Sequence, residues 1–387
     1  MNIEYKGKKT KEKSFNDIDD IKLKLTEGES ESISMLIKGE NLRVMKHLIQ
    51  KMDLKGKVDL VYIDPPFGTR NVFRISETKA NSISRCNDGE LAYSDSLVNE
   101  EYLEFIRERL FLLRELLSEK GSIYIHIDYK VGHYVKIVMD EIFGRDHFIN
   151  DLTRIKCNPK NFERKGFGNI KDMILFYSKT DKYIWNPQTT EYIAHDIDRL
   201  FKKVDQDGRK YTTIPLHAPG ETKNGKTGGE WRGMFPPKGR HWRVSPAELD
   251  ELESKGLIEW SKNGVPRKKI FADEKKVVGK KIQDILDYKD PQNPIYPTEK
   301  NIELIKLLIK SSSNEGSLVL DCFAGSGTTI VASMELGRNW IGVDSSTSSI
   351  ETILARLKQK QSKLVENSYG FYEEEIVKNA KNTLLQN

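Results

Sequence analysis

The sequence predicts an α/β protein: a mostly parallel sheet with helices on both faces, interrupted by one long basic insertion. Three observations carry this. Strand-like apolar runs alternate with amphipathic helical stretches over residues 34–180 and again over 292–349, the pattern of a parallel sheet. Two strands, VDLVYID and GSLVLD, end in an acid and pass directly into a turn built on Pro or Gly. From about Asp181 the periodicity weakens, and aromatics mix with Gly, Pro and basic residues until about residue 291.

Residues 1–33 read as a charged lead-in without the apolar core of a signal peptide. SMLIKGENLRVMKHLI, residues 34–49, reads as a short strand, a turn at Gly39 and an amphipathic helix. VDLVYID follows, then a polar loop from Gly68 to about Asn99, long enough to be functional or disordered. EEYLEFIRERLFLLRELLSEKG predicts a helix stopped by Gly121, GSIYIHID a strand, and VGHYVKIVMDEIFG a second helix. FINDLTRIK and DMILFYSK are two further strands. After the irregular 181–291 region, PTEKNIELIKLLIKSSSNEG is a helix, LVLDCFAGSGTT a strand into a glycine-rich turn, and NWIGVD another strand. The tail, 350–387, reads as helical and polar. No internal repeat is visible.

The composition bounds the function. With 387 residues, 37% hydrophobic, the chain has room for a large core or two domains. No run of about 18 apolar residues is present, so no membrane span is expected. The three cysteines, Cys86, Cys157 and Cys322, are far apart and match neither a metal site nor a disulfide framework. No metal ligand set is expected, and a reducing cytoplasm fits. Net charge is +5, unevenly spread: residues 151–290 hold 29 Lys+Arg against 21 Asp+Glu, the remainder 34 against 37. A positive middle suits a polyanion, although a solvated surface produces the same bias.

Two turns carry chemistry. In VDLVYIDPPFGTR, Asp64 ends an apolar strand, Pro65 and Pro66 close it, and Phe67 follows. Prolines cannot extend a sheet ladder, and a carboxylate at such a strand end is costly unless it meets a partner or does chemistry. A strand followed by a rigid turn is the plainer reading of the tripeptide alone. In LVLDCFAGSGTT, a strand delivers Asp321, and Gly325 and Gly327 let the backbone approach a ligand at a helix N-terminus. A Walker loop would need Gly-Lys-Ser/Thr, and no lysine follows Gly327; a dinucleotide fingerprint would need Gly or Ala where Ile330 stands. The next strand ends in Asp344, placed to accept hydrogen bonds from ribose hydroxyls. A nucleoside without a pyrophosphate fits best. Strand-end capping by Asp344 and core packing of Phe323 remain the structural alternatives.

These residues resemble the amino-methylating DNA methyltransferases that use S-adenosylmethionine. Asp64-Pro65-Pro66-Phe67 matches their (D/N/S)PP(Y/F) catalytic motif, and Asp321, Phe323, Gly325, Gly327, Thr328 and Thr329 match their DxFxGxGTT cofactor motif. Catalytic motif first, recognition region next and cofactor motif last is the β-class order, similar to the Mod subunits of type III restriction systems. YPTEKN, residues 296–301, resembles the class's (H/Y)PTQKP segment, with Glu299 and Asn301 in place of Gln and Pro; GENLRVM resembles its GDNL segment, with Glu40 for Asp. WRGMFPPKGRHWR and NGVPRKKIFADE resemble a recurrent middle region of site-specific bacterial members.

The resemblance implies a Rossmann-like methyltransferase fold with a mostly parallel seven-stranded sheet, circularly permuted. The catalytic half would be 34–180, the target-recognition region 181–291 and the cofactor half 292–349. It implies S-adenosylmethionine as cofactor, held by Asp321, Phe323, Gly325, Gly327, Thr328 and Asp344, with Thr298 and Lys300 near the methionyl carboxylate and Asn41 or Glu40 by the adenine. Asp64 and the Pro65 carbonyl would accept from the target amine of adenine N6, or alternatively cytosine N4, while Phe67 stacks on the extruded base. Five-position cytosine methylation would want a Pro-Cys pair, which is missing. RNA or protein-glutamine methylation and a non-catalytic specificity subunit are further alternatives. Double-stranded DNA is the implied partner, contacted by Arg232, Lys238, Arg240, Arg243, Arg267, Lys268 and Lys269, each of which could equally be a solvated surface residue. A homodimer and a separate restriction endonuclease subunit are the other implied partners, in a bacterial cytoplasm at the nucleoid. Trp231, Trp242 and Trp260 read as core rather than as base-stacking residues, and His126 as a satisfied strand residue.

Overall fold

The computed structural model describes residues 3–66, 72–75, 80–81, 90–94, 100–159, 165–222, 225–292, 294, 296, 299–361 and 368–377. Phe67 and Thr298 lie outside them, so their expected roles have no structural counterpart. The chain divides into two compact units, Met1–Asn186 with Gln283–Asn387, and Pro187–Ile282.

The first unit is built on one sheet of ten strands: β1 (Ile21–Gly28), β2 (Met35–Lys38), β3 (Val58–Ile63), β4 (Leu117–Ile127), β5 (Phe148–Ile155), β6 (Lys171–Ser178), β7 (Ile285–Asp287), β8 (Leu318–Asp321), β9 (Asn339–Asp344) and β10 (Gly370–Ile376). Their order across the sheet is β1-β10-β2-β9-β8-β3-β4-β6-β5-β7. From β10 to β4 every neighbouring pair is parallel, whereas β6 is antiparallel to both β4 and β5.

Residues alternate between two layers of helices, as the two-residue period of a strand requires. Met35 and Ile37 face one layer, made by α2 (Asn41–Lys51), α3 (Glu100–Leu116) and α4 (Tyr129–Phe143). Leu36 faces the other, with Ile330 and Met334 of α6 (Thr328–Glu335) and Ile350, Ile353 and Leu357 of α7 (Thr347–Gln361). Of the remaining helices, α1 (Lys11–Asn16) opens the chain, and α5 (Ile302–Ser312) precedes β8 and buries Leu304, Ile305, Leu308 and Ile309. Among the described residues no helix is long and apolar enough to cross a membrane.

Ten strands exceed the expected seven because both ends of the chain are folded into the sheet. The lead-in supplies α1 and β1, and the tail leaves its helix at Gln361 to form β10. Charge concealed both strands. In β1 only Ile21 is buried, and Lys22 and Lys24 stand opposite Glu375 and Glu373 of β10, the charged habit of an edge strand. The third extra strand, β7, has three residues. The helix expected to run to Gly121 ends at Leu116, and β4 begins at once. Gly121 serves close packing there, since a Cβ would stand 2.8 Å from Leu117 and 2.9 Å from the Val58 carbonyl.

The second unit holds a four-stranded antiparallel sheet of Lys203–Val204, Lys210–Pro215, Pro266–Phe271 and Ile258–Trp260. One of its helices, Pro246–Ser254, starts with a Ser245/Glu248 capping box. Leu216, Trp231, Trp242, Leu249 and Ile258 form a small core. The strands are too short to show periodicity, which is why composition alone marked the region. Residues 181–186 and 283–291 belong to the other unit: Ile184 N–H donates to the Lys120 carbonyl (3.0 Å), Asn186 N–H to that of Ser311 (2.7 Å), and Thr153 N–H to that of Asp284 (2.8 Å).

Candidate active site

The two motif turns are neighbours because their strands are. β8 lies parallel to β3, with Val319 opposite Leu60 and Leu320 opposite Val61, so Asp321 ends β8 beside Tyr62 and Asp64 follows two residues further along a strand about 5 Å away. From β8 the chain continues through α6 to β9 on one side; from β3 it continues through α3 to β4 on the other. The carboxyl ends of neighbouring strands whose connections part in opposite directions are where open α/β sheets bind ligands.

Asp64 is held asymmetrically. Its Oδ2 forms an ion pair with Lys300 Nζ at 2.6 Å, whereas its Oδ1 is buried without a hydrogen-bond partner among the described residues. Pro65 is buried and Pro66 half-buried. Two residues earlier on the same face of β3, the Tyr62 hydroxyl meets His126 Nδ1 (2.9 Å), and His126 Nε2 meets Asp172 Oδ2 (3.2 Å). Arg154 (3.4 Å) and Lys156 (2.7 Å) also donate to Asp172. Burial opposes charge on Asp172, but the His126 hydrogen bond and the nearby cations hold its carboxyl well below the usual range. Burial pushes the His126 imidazole down. A neutral ring that donates from Nε2 to Asp172 must accept at Nδ1, so Tyr62 is the donor. His126 is thus a satisfied strand residue, as its place in IHID suggested.

The cofactor-type loop is equally specific. Asp321 is buried at the end of β8, where its Oδ1 accepts from Phe323 N–H (3.0 Å) and its carboxyl from the Thr329 hydroxyl. Burial pushes its pKa up to about 7, with a smaller push from Asp64 and Asp344. Gly325 (φ +49°) and Gly327 (φ +73°) are both left-handed, but their surroundings differ. A Cβ on Gly325 would meet nothing nearer than 3.8 Å; one on Gly327 would lie 2.7 Å from Ile353 Cγ1. Only the first glycine keeps open space, while the second admits α7. Asp344 accepts from Gly325 N–H (2.8 Å) and Ser346 N–H (2.9 Å) and is pushed up by burial. It therefore braces the loop, with lone pairs remaining for further donors. Thr328 is buried, 2.9 Å from the Ser326 hydroxyl. Phe323 is half-buried against the core, its ring 6.0 Å from that of Phe105.

Asn41 is engaged on both ends of its amide: Nδ2 donates to the Cys322 carbonyl (2.8 Å), and Oδ1 accepts from Arg109 Nε (2.7 Å). Arg109 also reaches Glu40 (2.6 Å) and lies over the Phe105 ring. Glu40 caps α2 through Arg43 N–H (3.0 Å). Sequence reading missed Arg109, because an arginine within an amphipathic helix looks like a solvated charge. It also missed buried Tyr296, whose ring flanks the open side of Gly325 at 3.9 Å from the position a Cβ would take; it was visible only as the first letter of YPTEKN. Lys300 falls on Asp64, a pairing that spacing could not reveal.

In the second unit the seven basic residues separate by partner. Arg232, in a left-handed turn (φ +50°), is paired to Glu253 (2.6 Å) and lies 3.7 Å from Asp250. Arg240 meets His217 (3.1 Å), and Arg243 donates to the Pro215 carbonyl (3.0 Å). Arg267 spends its guanidinium on the Thr213 hydroxyl and carbonyl (both 2.9 Å). Lys269 lies over the Tyr211 ring, and Lys268 is half-buried. Lys238 is exposed and has no partner among the described residues. Trp231 and Trp242 are core, as expected; Trp260 is 40% exposed at the rim, stacked on Trp231.

A sheet of this order, with an acidic strand tip beside a glycine-rich loop and a second acid bracing it, is the Rossmann-like α/β fold of the methyltransferase class. The model of the N6_N4_Mtase family, described as DNA methylase, matches residues 58–355, and the chain belongs to that family. It is 42% identical over 315 residues to the type II methyltransferase M.EcaI of Enterobacter cloacae, covering 80% of this chain and 66% of that protein. It is 28% identical to the type III restriction-modification enzyme StyLTI Mod subunit of Salmonella typhimurium, covering 86% and 55%. The chain thus spans two thirds or less of the length of these relatives. Among solved structures, the M1.HpyAVI–SAM complex aligns at 18% identity with a TM-score of 0.42, covering 83% of this chain and 99% of that one.

Proposed function

We propose that this protein transfers a methyl group from S-adenosylmethionine to the N6 amine of adenine at specific sites in duplex DNA, as the modification activity of a bacterial restriction-modification system. The observation that carries this is Asp64, with one oxygen paired to Lys300 and the other buried and without a partner among the described residues, beside the Asp321–Gly327 loop on the adjacent strand. The residues fit the cofactor. Gly325 leaves room for it, Asp344 offers lone pairs to ribose hydroxyls, and Asp321, Phe323, Thr328 and Tyr296 line the same turn. When bound, S-adenosylmethionine supplies an electrophilic methyl on sulfur.

The chain's own residues prepare the nucleophile. An exocyclic amine is weak because its lone pair is delocalised into the ring. Asp64 Oδ1 accepts one N–H and the Pro65 carbonyl the other, favouring a pyramidal nitrogen whose lone pair faces the methyl group. Methyl transfer would make the nitrogen–carbon bond at the expense of the cofactor's carbon–sulfur bond, whose electron pair would stay on sulfur, and the surplus amine proton would pass to water. Two acceptors held on a rigid prolyl turn need no reorganisation. Phe67 would stack on the extruded base, worth about 1–3 kcal/mol and comparable with the cost of unstacking it. The 187–282 unit would hold the duplex through its basic residues. A homodimer and a separate endonuclease subunit are the partners that follow from this reading, in the cytoplasm at the nucleoid.

Cytosine N4 presents the same pair of N–H groups; Asp rather than Ser before Pro-Pro favours adenine by the family's pattern. Nucleoside mass spectrometry of DNA from expressing cells should find N6-methyladenine, and Asp64→Ala should bind S-adenosylmethionine yet methylate nothing. N4-methylcytosine alone would overturn the choice of base. Wild-type turnover by the variant would overturn the role of Asp64.

A further inference from the structure

We infer that Lys300 is a positioning residue for the target base: its ammonium fixes the Asp64 carboxylate so that Oδ1 alone remains to accept from the amine. The inference rests on the methyltransferase reading above and departs from the placement of Lys300 at the methionyl carboxylate that the sequence resemblance implied. The pair is short, 2.6 Å, and sheltered, the two side chains being 10% and 17% exposed. An ammonium only donates, so the lone pair of Oδ2 that faces it is unavailable to an incoming N–H.

Lys300 is in turn fixed by its neighbours on both sides. Glu299 N–H donates to the Tyr296 carbonyl (3.1 Å), and the Glu299 carboxylate pairs with Arg356 (3.1 Å). Asn301 caps α5 through Glu303 N–H (2.9 Å) and donates to the Lys289 carbonyl (2.9 Å). The two residues that depart from the family's Gln and Pro therefore clamp the lysine between a salt bridge and a helix cap. A charge held this way orients the carboxylate before any substrate arrives, the condition under which alignment accelerates a reaction. Tyr62 and Ile63 run into the same strand end, so rotation of the carboxylate is the freedom that Lys300 removes.

The test is a cycle of Lys300→Met, Asp64→Asn and the double variant, with single-turnover methylation of duplex DNA at saturating S-adenosylmethionine and calorimetric cofactor affinity read on each. Lys300→Met should slow methyl transfer ~10- to 100-fold, the scale of a misplaced reacting group, while cofactor affinity stays within about threefold. In the Asp64→Asn background it should cost nothing further, because it acts through that carboxylate. A tenfold or greater loss of cofactor affinity with an unchanged saturated rate would overturn the inference and return Lys300 to the cofactor, as would full additivity of the two substitutions. Should the methionine variant fail to fold, Lys300→Gln carries the same expectations. Failure of the underlying reading looks different: wild-type protein that binds no S-adenosylmethionine and methylates no DNA.

Discussion

Gly325 and Gly327 stand two residues apart in one loop, yet alanine at each should do different damage. Both have positive φ, +49° and +73°, and a Cβ in that region costs roughly 1–2 kcal/mol, partly offset by about 0.4–1 kcal/mol from a stiffer unfolded chain. At Gly325 the balance ends there, because the nearest atoms lie 3.8 and 3.9 Å from the new Cβ, ordinary contact. At Gly327 the Cβ falls 2.7 Å from Ile353 Cγ1, on a side chain with no exposure. Overpacking of that kind costs typically about 1–3 kcal/mol more. Gly325→Ala should therefore lose about 1 kcal/mol of folding stability and weaken S-adenosylmethionine binding by filling the open side of the loop. Gly327→Ala should lose about 2–4 kcal/mol by the same sum of strain and overpacking. Urea denaturation measures the first quantity and calorimetry the second. The clash can be isolated: Ile353→Ala, a loss of about 2–5 kcal/mol in the wild-type background, should cost at least about 1 kcal/mol less beside Ala at 327, which occupies part of the vacated space. Equal destabilisation by the two glycine substitutions, or no coupling to Ile353, would refute the division of labour.

Three more outcomes follow, one at the same turn and two in the 187–282 unit. Asp321 has its folded pKa raised to about 7 from 3.8, so the folded state holds a proton that the unfolded chain has released. Stability from this group is complete below about pH 4 and falls as pH rises to about 7; Asp321→Asn should thus be more stable than wild type at pH 8, by at most about 4 kcal/mol at 1.36 kcal/mol per unit. Chemical denaturation at pH 4 and pH 8 checks the sign, and a gain confined to pH 4 would contradict it. In the 187–282 unit, Lys238→Ala should lower the salt dependence of DNA binding by about one counterion without affecting the fold. Arg267→Ala should instead destabilise the unit by removing two hydrogen bonds to Thr213, about 1–3 kcal/mol. Equal salt slopes for Lys238→Ala and wild type would remove that lysine from the interface.

By itself the sequence determined the parts whose signal is local. Short continuous apolar runs located β3, β8 and β9, and spacing of three to four residues the long helices, since those patterns arise from burial and backbone geometry that each segment carries alone. The acids at the two strand ends and the glycine-rich turn were legible for the same reason, as was the basic, aromatic composition of the middle region. Tertiary structure decided what depends on residues distant in the chain. It drew the charged ends into the sheet as β1 and β10, whose lysines and glutamates look solvated until they face one another. It separated Gly325 from Gly327 by bringing Ile353 against only one of them. It also placed Lys300 on Asp64, a contact across more than two hundred residues that no pattern in either motif encodes, because an ion pair is a matter of position in space and not of spacing along the chain.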